Sequence, residues 1–138
     1  MQVVVVGGGS IARTLGRRLA EANHEVAFVI ERLDDAEEFA LDFPSSLVIK
    51  GSGTDERSLR NAGASEADLL FAVHADDSHN MASCLLAKER FGVAETVALA
   101  ATCDDKPTFR ALGISSVCVP DVVTDTLLAH VMVADSTC

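Results

Sequence analysis

The chain opens with a run of β-branched residues that ends in three consecutive glycines. Gln2–Val6 is apolar without alternation, which predicts a strand buried on both faces of a parallel sheet. After Gly7–Gly9 the apolar residues Ile11, Leu15 and Leu19 recur every four positions, a spacing typical of an amphipathic helix. A buried strand, a glycine turn and a helix in this order predict the start of a βαβ unit.

The alternation of strand and helix continues to the end of the chain. We predict further strands at Glu25–Ile30, 46–49, 67–73, 96–101 and 116–119, and further helices at 34–43, 55–62, Asp77–Phe91, 106–112 and 122–133. This spacing indicates a parallel sheet, and right-handed crossovers place helices on both of its faces. The expected fold is α/β: a Rossmann-type doubly wound parallel six-stranded sheet with helices on both faces.

Length and charge narrow the class of protein. The 138 residues fit one domain, so we expect residues 1–138 to form a single unit. The apolar runs are too short to cross a bilayer, and Met1 leads directly into the first strand without a secretory signal, which predicts a cytoplasmic protein. The formal net charge of −10 repels nucleic acid. The acidic excess suits either a halophilic source or an ordinary acidic surface.

Cysteine and histidine spacing predicts neither a metal centre nor a redox motif. The cysteines form no Cys-x-x-Cys pair and are expected to be buried small apolar side chains: Cys84, Cys103, Cys118 and Cys138. The histidines are equally scattered, with no cysteine or carboxylate cluster at a zinc-type spacing: His24, His74, His79 and His130. We therefore expect no structural metal site.

The glycine turn matches the pattern G-x-G-x-x-G/A, with Gly7, Gly9 and Ala12 at its small-residue positions. The first glycine permits a tight turn, the second lets a pyrophosphate approach the backbone, and the alanine lets helix and strand pack closely. The free N–H groups of Ser10 and Ile11 would bind the phosphates at the positive end of the helix. The alternative is a tight strand–helix turn with no ligand.

A carboxylate stands at the end of the second predicted strand, about 20 residues beyond the glycines. Glu31 is placed there to accept hydrogen bonds from adenosine ribose hydroxyls, and its charge would repel the 2′-phosphate of NADP. Because Arg32 stands beside it, NADP is not excluded as a ligand. Alternatively, Glu31 is a solvated surface acid.

Two later loops are expected at the same edge of the sheet, because the carboxyl ends of parallel strands meet there. The small residues of 51–55 could admit an adenine edge, or a threonine or aspartate among them could cap the next helix. His74 could face the second ribose or the nicotinamide, or be an exposed loop histidine. Asp76 and Asp77 are predicted to cap the helix that follows.

With these residues placed, the chain resembles the NAD-binding domain of Trk/Ktr potassium-uptake regulators, the RCK or KTN N-terminal domain of the TrkA-N family. The resemblance runs over nearly the whole chain. It is carried by four segments: VVVVGGGSIA, KGSGTDERSLRNAGASEADLLFAV, DDSHNMASCLLAKERFG and RALGISSVCVPD. The second segment is the most specific, since it joins a glycine after strand three to a helix ending in Ala-Gly and then to Ala-Asp before strand four.

The resemblance implies a dinucleotide-binding regulatory domain that forms a homodimer or higher oligomer. It implies NAD or NADH as ligand, with ADP, AMP or ATP as alternatives, and control of an associated potassium channel or transporter subunit or of a fused C-terminal effector domain. Neither direct membrane insertion nor nucleic acid is expected. Carried over by position, the binding residues are Gly7, Gly9, Ser10, Ile11, Glu31, Arg32, Gly51, Ser52, Val73, His74 and Asn80.

Two departures from the family pattern bear on the choice of ligand. Members that sense ATP often carry Arg after the second motif glycine, where this chain has Ser10. Members also commonly have a basic residue on or after strand five, whereas 97–101 is wholly apolar here. The first departure favours NAD(H) or a shorter adenine nucleotide, and the second weakens the case for a distal phosphate contact.

The last predicted helix carries a wide apolar stripe: Val123, Leu127, Leu128, Val131 and Met132. The stripe is either a core face of the domain or, as the resemblance implies, a dimer interface. The family normally continues into a smaller C-terminal domain, so we expect the chain to be an excised module or one part of a multi-subunit system.

Two other functions remain open at this point. The first is an NAD-dependent oxidoreductase domain that lacks its substrate domain, with His74 or His79 as a base. The chain has no tyrosine, which excludes Tyr–Lys hydride chemistry, and no residues remain for a substrate domain. The second is a purely structural dimerisation module. We expect a regulatory domain rather than an enzyme.

Overall fold

The structure is a computed structural model that describes residues 1–136. Its strands are β1 Gln2–Val6, β2 Glu25–Ile30, β3 Leu47–Lys50, β4 Leu69–Ala72, β5 Glu95–Ala100 and β6 Ser115–Cys118. Its helices are α1 Ser10–Glu21, α2 Leu33–Asp42, α3 Glu56–Asn61, α4 Asp77–Phe91, α5 Lys106–Ala111 and α6 Val119–Ser136. The alternation predicted above is confirmed, with most boundaries displaced by one or two residues.

The six strands are all parallel and lie in the order β3-β2-β1-β4-β5-β6. β1 is central, since Val5 pairs with Phe28 of β2 on one side and with Phe71 of β4 on the other. The strand order reverses between β1 and β4, and sheets of this kind open a crevice at the carboxyl ends of the strands at that point. The Rossmann-type doubly wound sheet is confirmed.

The side chains of β1 alternate between two hydrophobic cores. Val4 and Val6 belong to one cluster, together with buried residues of β4, α4 and β5. Val3 and Val5 belong to a second cluster with β2 and α2. The second cluster contains three phenylalanine rings whose centroids lie 4.8 to 5.7 Å apart: Phe28, Phe39 and Phe43. Burial of β1 in both clusters explains why its sequence is apolar without alternation.

The buried face of α1 differs from the predicted one. Ala12 and Gly16 are buried, whereas Ile11 is 49% exposed. A Cβ at Gly16 would lie within 3 Å of the Phe28 ring, so the helix approaches the sheet through small residues. Leu15 and Leu19 pack partly buried against the second cluster, so the four-residue apolar repeat is wrong about Ile11 alone.

α6 begins at Val119, directly after β6, where the sequence predicted a start at residue 122. Pro120 lies in its first turn, where the missing N–H costs no helical hydrogen bond. Four of the five residues of the predicted stripe are exposed, Val123, Leu127, Leu128 and Val131, so the alternative of a core face within the domain is wrong for them. Met132 lies outside the residues whose side chains the structure describes. Across residues 1–136, no helix combines the length and apolar character needed to span a bilayer.

The cysteines depart from the expectation of four buried small apolar side chains. Cys103 and Cys118 form a disulfide, with Cα atoms 5.3 Å apart. Their sequence separation of 15 gave no short spacing, but the pairing of β5 with β6 brings the loop after β5 against the end of β6. Cys84 is a buried free thiol as predicted, and Cys138 lies outside the described residues. Burial raises the pKa of the Cys84 thiol to about 12.

Candidate functional site

A cleft of about 540 Å³ opens at the carboxyl ends of the strands. Its volume lies in the range typical of small-molecule sites. Its lining residues come from the strand ends and the loops after β1, β2, β3, β4 and β5: Val6, Gly7, Gly8, Gly9, Ser10, Ile11, Val29, Ile30, Glu31, Arg32, Asp35, Gly53, Val73, His74, Ala75, Asp77, His79, Leu99, Ala101 and Val119. The cleft therefore lies at the reversal of strand order.

The glycine turn forms one wall of the cleft. Gly7 has a φ of +140°, which L side chains rarely adopt, and a Cβ there would lie 3.1 Å from Val73. Gly9 differs, because a Cβ built on it meets no described atom within 4 Å. Gly9 is the N-cap of α1 and no side chain caps the helix. The N–H groups of the first helical turn therefore remain available at the positive end of α1.

Glu31 and two histidines form a cluster in the lining of the same cleft. The Nε2 atom of His79 lies 2.9 Å from one carboxylate oxygen of Glu31, and the Nε2 atom of His74 lies 3.4 Å from the other. The two imidazole rings are stacked, with centroids 4.0 Å apart and an interplanar angle of 13°. Glu31 directly follows β2 and His74 follows β4, so the two strands beside β1 bring these side chains together.

The loop after β4 fixes the orientation of both histidines. The Asp76 N–H donates to Nδ1 of His74, so the proton that contacts Glu31 is on Nε2 of His74, which donates it to the carboxylate. The Asp76 carboxylate caps α4 by accepting from the N–H groups of Ser78 and His79. The predicted cap at Asp76 is confirmed.

Asn80 holds this loop from within the core. Its side chain is fully buried, and its amide group donates to the carbonyl oxygens of His74 and Leu99 while it accepts from the His74 N–H. Asn80 therefore positions His74 and does not line the cleft.

The histidines change the acidity of Glu31. Burial alone would raise the pKa of this carboxyl, but hydrogen bonds and positive charge from His74 and His79 outweigh it and lower the pKa below its ordinary value. Glu31 is therefore ionised at neutral pH.

Arg32 is held by the first turn of α2. Its guanidinium donates to both carboxylate oxygens of Asp34, over 3.1 and 3.3 Å, and lies 3.8 Å from a carboxylate oxygen of Asp35. The positive charge of Arg32 is therefore paired with the carboxylates of Asp34 and Asp35.

Eight of the eleven residues predicted at the site line the cleft: Gly7, Gly9, Ser10, Ile11, Glu31, Arg32, Val73 and His74. Gly51, Ser52 and Asn80 lie behind this lining. Gly51 is packed against Ser58, and the Ser52 hydroxyl contacts Thr54 and His79. The loop after β3 instead reaches the cleft through Gly53.

His79 is the main residue of the cleft that the sequence did not predict as a nucleotide-binding residue; it was considered only as a base of the alternative oxidoreductase. It lies 48 residues from Glu31, so no linear spacing connects the two. The prediction of no metal site also overlooked this cluster, whose ligand atoms all lie within 4.8 Å of one another. The available signal was that Glu31 and His74 each follow a strand that flanks β1.

The fold and the cleft define a Rossmann-type domain with its crevice at the strand reversal. A sequence model described as the TrkA-N domain matches residues 3–120, and the chain belongs to that family. A relative named Trk system potassium uptake protein TrkA homolog, from Methanothermobacter thermautotrophicus, is 31% identical over 121 residues. That match covers 88% of this chain and 55% of the relative, so the chain spans little more than half of that protein.

Solved structures share the fold. The TrkA-N domain of inner membrane protein ybaL from Escherichia coli superposes with a TM-score of 0.84 at 17% identity, covering 93% of this chain and 94% of that one. The GsuK channel bound to NAD gives a TM-score of 0.73 at 24% identity, covering 84% of this chain and 21% of the channel. The Shewanella denitrificans Kef CTD in its AMP-bound form gives a TM-score of 0.73 at 19% identity, covering 96% of this chain and 82% of that one.

Proposed function

We propose that this domain is a regulatory module that binds NAD(H) or a related adenine nucleotide and controls potassium transport through a partner subunit or an attached domain. One observation carries the proposal: the glycine turn and Glu31 line one cleft at the strand reversal. Phosphate binding at a helix N-terminus and ribose binding at an acid after β2 need this arrangement.

The residues present fit a dinucleotide. The space beside Gly9, which no described protein atom fills, would admit the pyrophosphate to the N–H groups of Ser10 and Ile11. An ionised carboxylate offers about four lone-pair sites, and the two histidines engage one oxygen each. Glu31 therefore retains acceptor capacity for the ribose hydroxyls.

The charges around the ribose position favour NAD over NADP. Arg32, the cation that could accept a 2′-phosphate, is already engaged with Asp34 and Asp35. A phosphate there would meet these two carboxylates as well as Glu31, and like charges at close range oppose binding.

The link to potassium transport is supported by the family. Relatives are named Trk system potassium uptake protein TrkA, and GsuK, a channel, shares the fold with NAD bound. We infer that the module works on the cytoplasmic side of the membrane with a transporter or channel subunit.

We also infer a homodimer formed through α6. Five large apolar residues of this helix are 48 to 63% exposed: Val122, Val123, Leu127, Leu128 and Val131. An exposed apolar stripe of this size on a helix marks an interaction surface. Nucleotide would act by stabilising one arrangement of the dimer, which requires different affinities for the two arrangements.

An oxidoreductase is the second candidate, because the NADPH complex of the yeast reductase Gre2 shares the fold at 12% identity and a TM-score of 0.61. The cleft argues against independent hydride chemistry. Both histidines that could act as a base are directed at Glu31, and the chain has no tyrosine.

The test is isothermal titration of the purified chain with NAD, NADH, ADP, AMP, ATP and NADPH at low and high salt. We expect NAD(H) or a short adenine nucleotide to bind and NADPH to bind poorly. Glu31→Ala should weaken binding, whereas Glu89→Ala, an exposed acid on α4 away from the cleft, should not. Absence of binding by every nucleotide, or equal binding by Glu31→Ala, would overturn the proposal.

A further inference from the structure

We propose that Glu31, His74 and His79 form a binding site for a divalent transition-metal ion of the Zn²⁺ class, and that the ion competes with the adenosine ribose for Glu31. The site follows from the geometry alone. The competition rests on the proposed nucleotide binding.

The distances between the ligand atoms suit one small cation. Zn²⁺ binds imidazole nitrogen and carboxylate oxygen at about 2.0–2.2 Å, so neighbouring ligand atoms of a tetrahedral site lie about 3.3–3.5 Å apart. Here the nitrogen–oxygen separations are 2.9 and 3.4 Å, and all three ligand atoms lie within 4.8 Å of one another. The two nitrogens contact different oxygens of Glu31 and the imidazole rings are stacked at 13°, so binding of one ion requires the rings to turn and the ligand atoms to close from at most 4.8 Å to the tetrahedral spacing.

The donor set selects the class of metal. Two imidazoles and one carboxylate leave a fourth position open, a ligand set found in zinc sites. Imidazole suits Zn²⁺, Cu²⁺ and Ni²⁺, whereas Mg²⁺ and Ca²⁺ prefer all-oxygen sites. The open position faces the cleft, because all three side chains line it.

The residues around His79 can orient its ring for metal binding. The Ser83 hydroxyl donates to the His79 carbonyl oxygen, and its oxygen lies 3.4 Å from Nδ1 of His79. Without a metal, Nε2–H of His79 donates to the ionised carboxylate of Glu31; metal binding through Nε2 moves this proton to Nδ1, where the Ser83 oxygen can accept it. The His79 side chain is only 12% exposed, so its ring is held in this position by packing.

His74 requires the same proton shift and also loses one hydrogen bond. In the metal-free cluster Nε2–H of His74 donates to Glu31, and Nδ1 accepts from the Asp76 N–H. Metal binding through Nε2 moves the proton to Nδ1 and breaks the Asp76 contact. Occupation of the site is therefore coupled to the segment that begins α4.

The competition follows because Glu31 serves both ligands. A carboxylate drawn towards a cation has fewer lone pairs for ribose hydroxyls, and the cation fills part of the space between Glu31 and the cleft. Linkage then requires that nucleotide weakens metal binding by the same factor as metal weakens nucleotide binding.

The experiment titrates the whole chain with ZnCl₂, and with MgCl₂ as the hard-cation comparison. Every protein carries Cys138→Ser, and reductant is omitted so that the Cys103–Cys118 disulfide supplies no thiolate. Co²⁺ provides a second readout, since its visible absorption reports tetrahedral coordination. His74→Gln and His79→Gln remove ligands one at a time, while His130→Gln removes an exposed histidine elsewhere. Circular dichroism confirms that each variant is folded.

We expect one Zn²⁺ per chain, no comparable Mg²⁺ binding, and a loss of at least about tenfold in affinity in His74→Gln and His79→Gln only. Zinc should also raise the apparent Kd for NADH in the Cys138→Ser parent but not in folded His79→Gln. The proposed zinc site would be wrong if both His74→Gln and His79→Gln kept the zinc affinity of the parent. It would also be wrong if His130→Gln lost affinity to the same extent. Zinc binding without any effect on a measurable NADH affinity would overturn the competition. If no nucleotide binds, the zinc result still decides the site, and only the proposed function fails.

Discussion

Cys103, in the loop after β5, is covalently joined to Cys118, the last residue of β6, across Cα atoms 5.3 Å apart. The bond closes a loop that contains α5 and fixes the point at which α6 leaves the sheet. A disulfide across 15 residues stabilises a fold by about 3 kcal/mol, chiefly by restricting the unfolded chain.

We therefore expect a double variant Cys103→Ser/Cys118→Ser to lose about 3 kcal/mol of unfolding free energy in urea without reductant. The matched control is Cys138→Ser, which should leave the unfolding midpoint unchanged. Equal midpoints for the oxidised parent and the double variant would show that the bond contributes nothing to stability.

Substitutions at the two motif glycines should have different effects. Gly9→Ala places its Cβ in space that no described atom occupies, so the variant should fold normally and bind nucleotide at least about tenfold more weakly, about 1.4 kcal/mol. Gly7→Ala requires an L side chain at φ +140° against Val73, which should destabilise the fold by about 1–3 kcal/mol. Urea unfolding and titration with NADH separate the two effects. Unchanged nucleotide affinity in Gly9→Ala would contradict the assignment of the pyrophosphate position.

Cys84 should resist thiol reagents in the folded protein. Burial raises its pKa to about 12, so the thiolate is scarce at pH 8 and the side chain is also inaccessible. Since the folded pKa lies above the unfolded value, the neutral thiol favours folding, and this contribution is lost as pH rises from about 9 towards 12. Labelling with iodoacetamide, read by peptide mass spectrometry, should modify Cys84 only after denaturation. Rapid labelling in native buffer would contradict the burial.

The exposed stripe of α6 should govern assembly. Leu127→Ser removes a side chain that is 63% exposed, so it should leave the monomer stable and shift a dimer towards monomer in analytical ultracentrifugation. Asp125→Ser introduces the same residue at an exposed polar position of the same helix and should leave assembly unchanged. A monomeric parent chain at high concentration would rule out a dimer formed by α6 alone.

The residues that could be predicted from sequence are those whose position depends only on local order along the chain. Gly7, Gly9 and Glu31 follow directly from a strand, a turn and the next strand end. The place of His79 depends instead on where α4 begins and on how β4 lies beside β1, which no local pattern encodes. The Cys103–Cys118 pair likewise depends on β5 and β6 being neighbours. Ile11 was wrongly placed on the core face of α1, because the helix approaches Phe28 most closely through small residues.

Val119 lines the cleft and is also the first residue of α6. An α-helix rises 1.5 Å per residue, so these 18 residues form a rod about 27 Å long with one end at the cleft wall. A tilt of about 5° around Val119 would displace the far end by about 2 Å, a lever that converts a small movement at the cleft into a larger one. The Cys103–Cys118 bond ties the residue that precedes Val119 to the loop after β5, at the end of the helix nearest the cleft.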